Sequence, residues 1–391
     1  MSTVLDLEAQ SEGFGDIQEL LNKLEASAAP EDLKDDCRKM IVRVYRMAKK
    51  GSYTSEFESV AKYVDWVTRI PWGVYSEDRI DLQSIREELD RYHFGLGKVK
   101  EKILSYMAVI QLQQMNQGTS GTLQQFDEQT GQYIQTAQQS PDGMTSTLMR
   151  PPILCFVGLQ GLGKTTIAKS IANALGRKFE RISLAAFGSI AQLRGSAKIT
   201  GEAEPGMIIQ AITRAGTMNP VILIDEIDKS SGIETLRNDI MAALLEILDP
   251  AQNEAFSDRY INYPLDLSKV FFITTANTLG TLTAALLDRL EIIRFTSYSD
   301  DDKIFIAKNY VMPRVLKETG LTEQQLVINE ETWPAIVRPM GFDAGIRQLE
   351  RTLLNLARRV AYQIVNQETS SVNITPENVK HYLPEDVSVL G

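Results

Sequence analysis

The spacing of apolar residues divides the chain into regions with different predicted structures. Between residues 31 and 112, apolar residues recur three or four positions apart, as they do on one face of a helix. Pro71 and Gly73 interrupt this pattern, which resumes near Asp81 and again near Lys98. The pattern therefore predicts a segment of consecutive helices over this part of the chain.

Residues 151–295 show a different pattern, in which short apolar runs alternate with helical stretches. The runs at residues 153–157, 221–224 and 270–273 are typical of strands that are covered on both faces. Because such strands alternate with helices, we expect an α/β fold with a parallel sheet flanked by helices.

The remaining stretches complete the predicted organisation. Residues 299–383 are again helical, with a strand predicted at 371–374 and a last helix after Thr375. Residues 1–30 predict a flexible tail, and residues 115–149, which are dense in Gln, Thr, Ser and Gly, predict a mobile surface loop. We therefore expect five regions, at residues 1–30, 31–114, 115–149, 150–298 and 299–391.

Composition excludes several classes of protein. The chain has 391 residues and a net charge of −10, which is unfavourable for a protein that coats nucleic acid. Two cysteines and two histidines are too few for a disulfide framework or a Cys/His zinc site. No segment predicts a membrane span or a secretory signal. These features predict a protein of the cytoplasm, without a membrane partner.

A phosphate-binding loop follows the first predicted strand. Residues 158–165 fit the pattern G-x-x-x-x-G-K-[ST]. The apolar residues that follow have helical spacing, which predicts a strand–loop–helix unit. The glycines allow backbone N–H groups to point at phosphates, and the helix N-terminus adds its dipole. Lys164 is expected to pair with the β- and γ-phosphates, and the Thr165 hydroxyl to bind Mg²⁺. The predicted nucleotide-binding residues here are Gly158, Leu159, Gln160, Gly161, Leu162, Gly163, Lys164, Thr165 and Thr166.

Acidic and polar residues end the next two apolar runs. Asp225 is expected to hold the Mg²⁺ shell, and the adjacent Glu226 to orient and deprotonate a water molecule. Asn277 follows the third run, where its amide can position that water against the γ-phosphate. A nucleotide switch needs only the aspartate, so the glutamate favours hydrolysis of ATP.

Two arginines add to this set. Arg289 and Arg347 each lie downstream of the third run, and an arginine supplied to a neighbouring subunit's nucleotide stabilises charge in the transition state. Spacing alone does not distinguish this role from that of a solvated or salt-bridged arginine.

The ordered set of motifs resembles the AAA+ P-loop ATPase module with its small helical lid. The residues between the motifs are similar to those of one family, the Lon ATP-dependent proteases. The similarity covers approximately residues 31–112 and 150–383. The similar stretches are residues 63–66, 71–72, 93–96, 99–100, 181–184, 215–220, 223–229, 244–250, 256–258 and 286–289.

This resemblance implies roles for individual residues. Asn277 corresponds to the first sensor, Arg289 to the arginine finger and Arg347 to the second sensor. His93 and Phe94 lie where the family's adenine pocket begins, and Tyr298 is expected to flank the base. The resemblance further implies ATP and Mg²⁺ as cofactors, a homo-hexameric ring and protein substrates.

The chain also departs from the Lon pattern. No serine–lysine peptidase site follows the lid within these residues, and the large substrate-recognition domain is not found ahead of residue 31. Thr200 stands where Lon carries a pore-lining aromatic residue, with Glu202 nearby. We therefore expect weak unfolding of folded substrates, unless Ile199 or Met207 contacts the threaded polypeptide in place of the aromatic residue.

Two functions of different classes follow from these observations. The first is a Lon-type motor that hydrolyses ATP to remodel proteins, either as the ATPase portion of a longer protease or together with a separate peptidase. The second is an ATP-regulated assembly or scaffolding protein that does not thread its substrate. A nucleic-acid-loading ATPase is disfavoured by the charge and by the Lon-like stretches.

Overall fold

The structure is a computed structural model. It describes residues 15–48, 54–79, 81–119, 123–127, 132–136, 153–198, 203–229, 234–338 and 345–383. The helices are α1 Gly15–Ala26, α2 Glu31–Ala48, α3 Thr54–Arg69, α4 Leu82–Tyr92, α5 Gly97–Thr119, α6 Lys164–Leu175, α7 Ala191–Arg194, α8 Met207–Ala215, α9 Glu234–Leu248, α10 Ala284–Leu287, α11 Asp300–Ile306, α12 Met312–Thr319, α13 Trp333–Val337 and α14 Arg347–Val365. The strands are β1 Leu123–Asp127, β2 Gln132–Thr136, β3 Ile153–Val157, β4 Phe179–Ser183, β5 Val221–Asp225, β6 Phe256–Ser257, β7 Pro264–Leu265, β8 Phe271–Ala276, β9 Leu290–Arg294, β10 Leu326–Ile328 and β11 Val372–Ile374.

A five-stranded parallel sheet forms the centre of the molecule. Its strand order is β4-β5-β8-β3-β9, and all four neighbouring pairs are parallel. Strands β3, β5 and β8 are buried along their whole length, as their apolar sequences predict. Because all strands run in one direction, their carboxyl ends meet at one edge, where the phosphate loop also begins.

Alternate residues of the strands enter two different cores. Leu154 and Phe156 of β3 pack with α4, α5 and α6 on one face of the sheet. Cys155 of β3 lies in a second core on the other face, which includes residues of α8 and α9 and extends to α1, α2 and α3. Helices α4 and α5, which precede the ATPase sheet, therefore cover one of its faces, and the bound predicted at residue 114 separates elements that share one core.

The lid has a core of its own. Helices α11 to α14 pack around buried apolar residues that include Trp333 and Leu353. Strands β10 and β11 form a short parallel pair at its side. Helix α11 begins with a capping box, in which Ser299 and Asp302 each bond the other's backbone N–H group.

The prediction of a flexible tail over residues 1–30 is wrong for residues 15–26. These residues form α1, whose buried side chains Ile17, Leu20 and Leu24 lie on one face and pack against α2 and α3. Their spacing of three and four residues is the helical signal that the acidic composition of the tail obscured.

The segment 115–149, predicted to be a mobile surface loop or linker, contains regular elements where the structure describes it. Helix α5 extends to Thr119, and β1 pairs with β2 in an antiparallel register that sets Phe126 opposite Tyr133. Polar composition did not prevent this pairing, because ladder hydrogen bonds involve the backbone.

The last helix that was expected after Thr375 is a single turn at Val379–His381. The Asn378 side chain accepts the N–H of Thr375 and donates to the carbonyl of Asn373, so local bonds hold a turn here. The strands predicted at 153–157, 221–224, 270–273 and 371–374 are confirmed within a few residues.

No helix in the described part of the chain is both long enough and apolar enough to cross a membrane.

Candidate active site

The phosphate loop joins β3 to α6 at the carboxyl edge of the sheet. Gly161 and Gly163 have φ angles of +81° and +85°, a region that other residues rarely adopt. A Cβ atom at Gly161 would lie 3.3 Å from the backbone nitrogen of Arg347, so glycine also permits the lid's close approach. The local sequence thus sets both the shape of the loop and its contact with the lid.

Lys164 is the first residue of α6 and is nearly buried. Its Nζ atom donates to the carbonyl oxygens of Gly158 and of Leu159, the latter at 3.0 Å, and to Oδ1 of Asn277 at 3.1 Å. Burial lowers the pKa of this ammonium group, and the charge of Asp225 opposes that shift. Within the described residues no carboxylate forms an ion pair with Lys164, so neutral oxygens hold its charge.

Asp225 ends β5 and lies next to the same edge. Its Oδ2 atom accepts from Arg181 of the neighbouring strand β4, with 2.7 Å to Nε and 2.5 Å to Nη2. Its Oδ1 atom accepts the hydroxyl of Thr275 from β8 on the other side. Partners on both neighbouring strands therefore hold the carboxylate in place.

Glu226 follows Asp225 and turns the chain away from the sheet with a φ of +57°. Its N–H donates to the Thr275 hydroxyl at 2.9 Å. Its Oε1 atom accepts from Nζ of Lys229 at 2.7 Å and from Nε2 of Gln160 at 3.2 Å. The Glu226 carboxylate therefore faces the phosphate loop.

The two threonines that follow Lys164 differ in their surroundings. Thr165 is half-buried, whereas Thr166 is exposed and its hydroxyl donates to the carbonyl of Gly163 at 2.8 Å. The Thr166 hydroxyl thus stabilises the loop's own turn.

The lid reaches the phosphate loop at the start of α14. The N–H of Ile346 donates to the carbonyl of Gly161 at 3.2 Å. A Cβ atom at Gly345 would lie 2.4 Å from the carbonyl carbon of Gly161, so the two backbones are in direct contact. This contact sets the exposed Arg347 beside the loop.

Arg289 does not lie with Lys164 and Asp225 at the phosphate loop. It follows α10 and forms an ion pair with Asp249 of the same chain, 2.9 Å between Nη2 and Oδ2. Its side chain is partly exposed.

The three residues predicted near the adenine base lie around α6 and the lid. Nε2 of His93 is 2.9 Å from the Ser170 hydroxyl, and burial lowers the pKa of His93 to about 4. Phe94 stacks on Phe305, with 4.1 Å between ring centroids. Tyr298 donates its hydroxyl to the carbonyl of Leu162 at 3.3 Å, and burial raises its pKa to about 12.

Sequence reasoning missed three side chains that organise the site. Thr275 bonds both Asp225 and the backbone of Glu226, and its signal is a polar residue inside an apolar strand. Arg181 and Lys229 pair with the two acidic residues. Their spacing gave no signal, because these contacts depend on strand order and on a local turn.

The expected pore residues Ile199, Thr200 and Glu202 lie outside the described residues, and Met207 packs half-buried against the core at the start of α8.

Comparison with known proteins agrees with this fold. The family model described as "ATPase family associated with various cellular activities (AAA)" matches residues 154–298. The chain is therefore an ATPase of the AAA class. A second model, "Lon protease AAA+ ATPase lid domain", matches residues 317–372. The chain belongs to the Lon family and contains its ATPase portion.

Individual relatives support this assignment. The chain is 41% identical to the Lon protease of Nitrosococcus oceani over 384 residues, which is 96% of this chain and 45% of that protein. It is 40% identical to Lon protease 2 of Thermus thermophilus over 95% of this chain and 43% of that protein. It is 37% identical to Lon protease 1 of Bacillus subtilis, over 96% of this chain and 44% of that protein. The chain thus spans somewhat less than half the length of the curated relatives it matches.

Proposed function

We propose that this chain binds ATP with Mg²⁺ at the phosphate loop and hydrolyses it to drive the remodelling of protein substrates. One observation carries the proposal. Lys164, the adjacent Asp225 and Glu226, and Asn277 come from three separate segments and meet at the carboxyl edge of the sheet, with 3.1 Å between Nζ of Lys164 and Oδ1 of Asn277. This edge is where parallel α/β sheets bind their ligands.

The loop supports binding of the phosphates. The charge of Lys164 is held by neutral oxygens, so an anion gains from a nearly buried ammonium group. The N-terminus of the twelve-residue helix α6 adds oriented N–H groups at the same place.

The chemistry of the donor set fits Mg²⁺. Asp225 offers a buried carboxylate and Thr165 a half-buried hydroxyl, both hard oxygen ligands of the kind that Mg²⁺ binds together with nucleotide phosphates. Such a cation neutralises phosphate charge when it is bound. The Asp225 carboxylate is held by Arg181 and Thr275, which orient it towards this role.

Glu226 and Asn277 are the residues that we assign to the attacking water. Lys229 and Gln160 hold the Glu226 carboxylate beside the phosphate loop, where it can accept a proton from water. The Asn277 amide already bonds Lys164, so it can orient the same water against the terminal phosphate.

Two substitutions separate binding from hydrolysis. We expect Glu226→Gln to bind ATP normally and to hydrolyse it about a hundred- to ten-thousand-fold more slowly, because one acid–base group is lost. We expect Lys164→Ala to weaken ATP binding itself. Binding is measured with a fluorescent ATP analogue and hydrolysis by phosphate release. Normal turnover in the Glu226 variant would remove this residue from the catalytic role.

The family supports assignments for the remaining residues. We assign His93, Phe94 and Tyr298 to the adenine pocket, Arg347 to nucleotide sensing from the lid, and Arg289 to the nucleotide of a neighbouring copy. The assignment of Arg289 places ATP at an interface between copies, and the family resemblance supports a homo-hexameric ring of such copies. The two cysteines are buried free thiols, which supports the cytoplasm as the compartment. We propose that the chain has five regions, at residues 1–30, 31–114, 115–149, 150–298 and 299–391, with α1 in the first and the pair β1–β2 in the third.

The coupling to proteins has its own test. An unfolded polypeptide such as carboxymethylated lactalbumin is expected to raise the ATP turnover of the wild-type chain, because a motor that grips a polypeptide turns over faster when it is loaded. The same protein in its folded, disulfide-bonded form is the matched control. ATP turnover that ignores both forms would instead favour the ATP-regulated assembly protein.

A further inference from the structure

Asp249 is a nearly buried carboxylate outside the residues assigned to the nucleotide. It directly follows α9, and 8% of its side chain is exposed. Its Oδ1 atom accepts the N–H of Ala251 at 3.0 Å, and its Oδ2 atom accepts from Nε2 of Gln252 at 2.9 Å. One backbone group and one side chain of the following turn therefore hold this carboxylate in position.

Arg289 lies against this fixed group. Its Nη2 atom is 2.9 Å from Oδ2 of Asp249, while 39% of its side chain is exposed. Its backbone N–H donates to the carbonyl of Leu286 at 3.1 Å, and α10 packs on α9. One side of the guanidinium group is thus held by a rigid anion, and the other side faces away from the core.

An arginine side chain has many rotamers, and it loses conformational entropy when it is restricted to the one that reaches a distant phosphate. A partner that holds the guanidinium group in advance removes much of that cost. A nearly buried carboxylate is suited to this task, because its charge is weakly screened by solvent. Among the described residues, Arg289 is the cation that pairs with Asp249.

We propose that Asp249 is a positioning residue that presents Arg289 to the ATP of the adjacent copy. This inference rests on the proposed role of Arg289 in a neighbouring site. It assigns to Asp249 a contribution to catalysis that acts through Arg289.

The first part of the test is Asp249→Asn in the full chain. Asparagine has the same size and can still accept the N–H of Ala251, but it lacks the charge that holds Arg289. ATP turnover is expected to fall about tenfold or more, as for the loss of a transition-state arginine, while ATP binding stays unchanged. Unchanged turnover would overturn the proposal.

The second part mixes variants, because a residue that acts on a neighbour can be supplied by that neighbour. Asp249→Asn subunits keep an intact ATP site, and Glu226→Gln subunits keep an intact Arg289. An equimolar mixture is expected to recover up to about a quarter of the wild-type rate, since about one interface in four joins the two intact halves. The matched control mixes Asp249→Asn with Arg289→Ala, where no interface has a positioned arginine and no recovery is expected.

A third mixture distinguishes the positioning role of Asp249 from the role of Arg289 in a neighbouring site, on which it rests. If Arg289→Ala with Glu226→Gln fails to recover activity, the role of Arg289 in a neighbouring site is wrong. If that mixture recovers and Asp249→Asn with Glu226→Gln does not, the positioning role of Asp249 is wrong. Should Asp249→Asn lose ATP binding, Asp249→Glu takes its place in the same mixtures, and loss of binding there too would assign Asp249 to the fold of the turn alone.

Discussion

Single polar side chains connect the strands at the carboxyl edge of the sheet. Thr275 is fully buried in β8, yet its hydroxyl bonds Asp225 and accepts the N–H of Glu226 at 2.9 Å. A buried hydroxyl is stable only when it is hydrogen-bonded, and here both bonds go to the acidic pair. One residue of a central strand thereby sets the positions of two candidate functional groups.

His93 provides a test at the same scale. Its ring is buried against Ser170, and burial, with a smaller effect from Lys100, lowers its pKa from 6.5 to about 4. Between these two values the unfolded chain takes up a proton that the folded chain does not, so this residue's contribution to stability falls as the pH falls. Below about pH 4 the loss is complete.

We therefore expect His93→Gln to reduce the pH dependence of stability. As the pH falls from 7 to 4.5, the wild-type chain should lose up to about 3 kcal/mol more of its free energy of unfolding than the variant does. Urea denaturation of both proteins at each pH measures this difference, and the carboxylates common to both cancel. Equal losses in the two proteins would show that His93 titrates alike in the folded and unfolded chains.

Helix α1 provides the test at the scale of the element. Leu24 is fully buried between α1 and its neighbours α2 and α3, whereas Lys23 beside it is exposed. We expect Leu24→Ala to lower the free energy of unfolding by about 2–5 kcal/mol and Lys23→Ala to change it by less than about 0.5 kcal/mol. Guanidinium denaturation measures both. A Leu24 variant as stable as the Lys23 variant would restore the flexible tail that composition predicted.

Elements with a strong local signal could be predicted from the sequence. The buried strands β3, β5 and β8 are continuous apolar runs, and the phosphate loop is a complete motif, so the edge of the sheet and its main residues were predictable. Helix α1 and the pair β1–β2 were not predicted, because polar and acidic composition outweighed a short periodic signal there. Periodicity assigned helices to the segment before the sheet, but it did not show which face of the sheet each helix covers.

In the candidate site too, residues with a local signal could be predicted and contacts between distant segments could not. Asp225, Glu226 and Asn277 could be predicted because each directly ends an apolar run. Arg181 could not, because its contact with Asp225 requires β4 to lie beside β5, which is a property of strand order. Asp249 could not either, since its contact with Arg289 joins the ends of two helices that are separate in sequence.

At the scale of the whole molecule, the lid and the ATPase sheet meet at the phosphate loop. The N–H of Ile346 bonds the carbonyl of Gly161, so a nucleotide on the loop is adjacent to both domains. Arg347 lies beside the loop of its own chain, whereas Arg289 pairs with Asp249 away from the loop. Under the proposed role of Arg289, we therefore expect the catalytic set to be completed by a second copy of the chain.

The most direct measurement of this central claim is the specific rate of ATP hydrolysis as a function of protein concentration. The rate per subunit is expected to rise as copies associate and then to reach a plateau, because Arg289 completes a neighbour's site. Arg289→Ala should bind ATP and associate normally, with a rate at least about tenfold lower at the plateau. Full activity at concentrations where the chain is a monomer, unaffected by Arg289→Ala, would contradict the account.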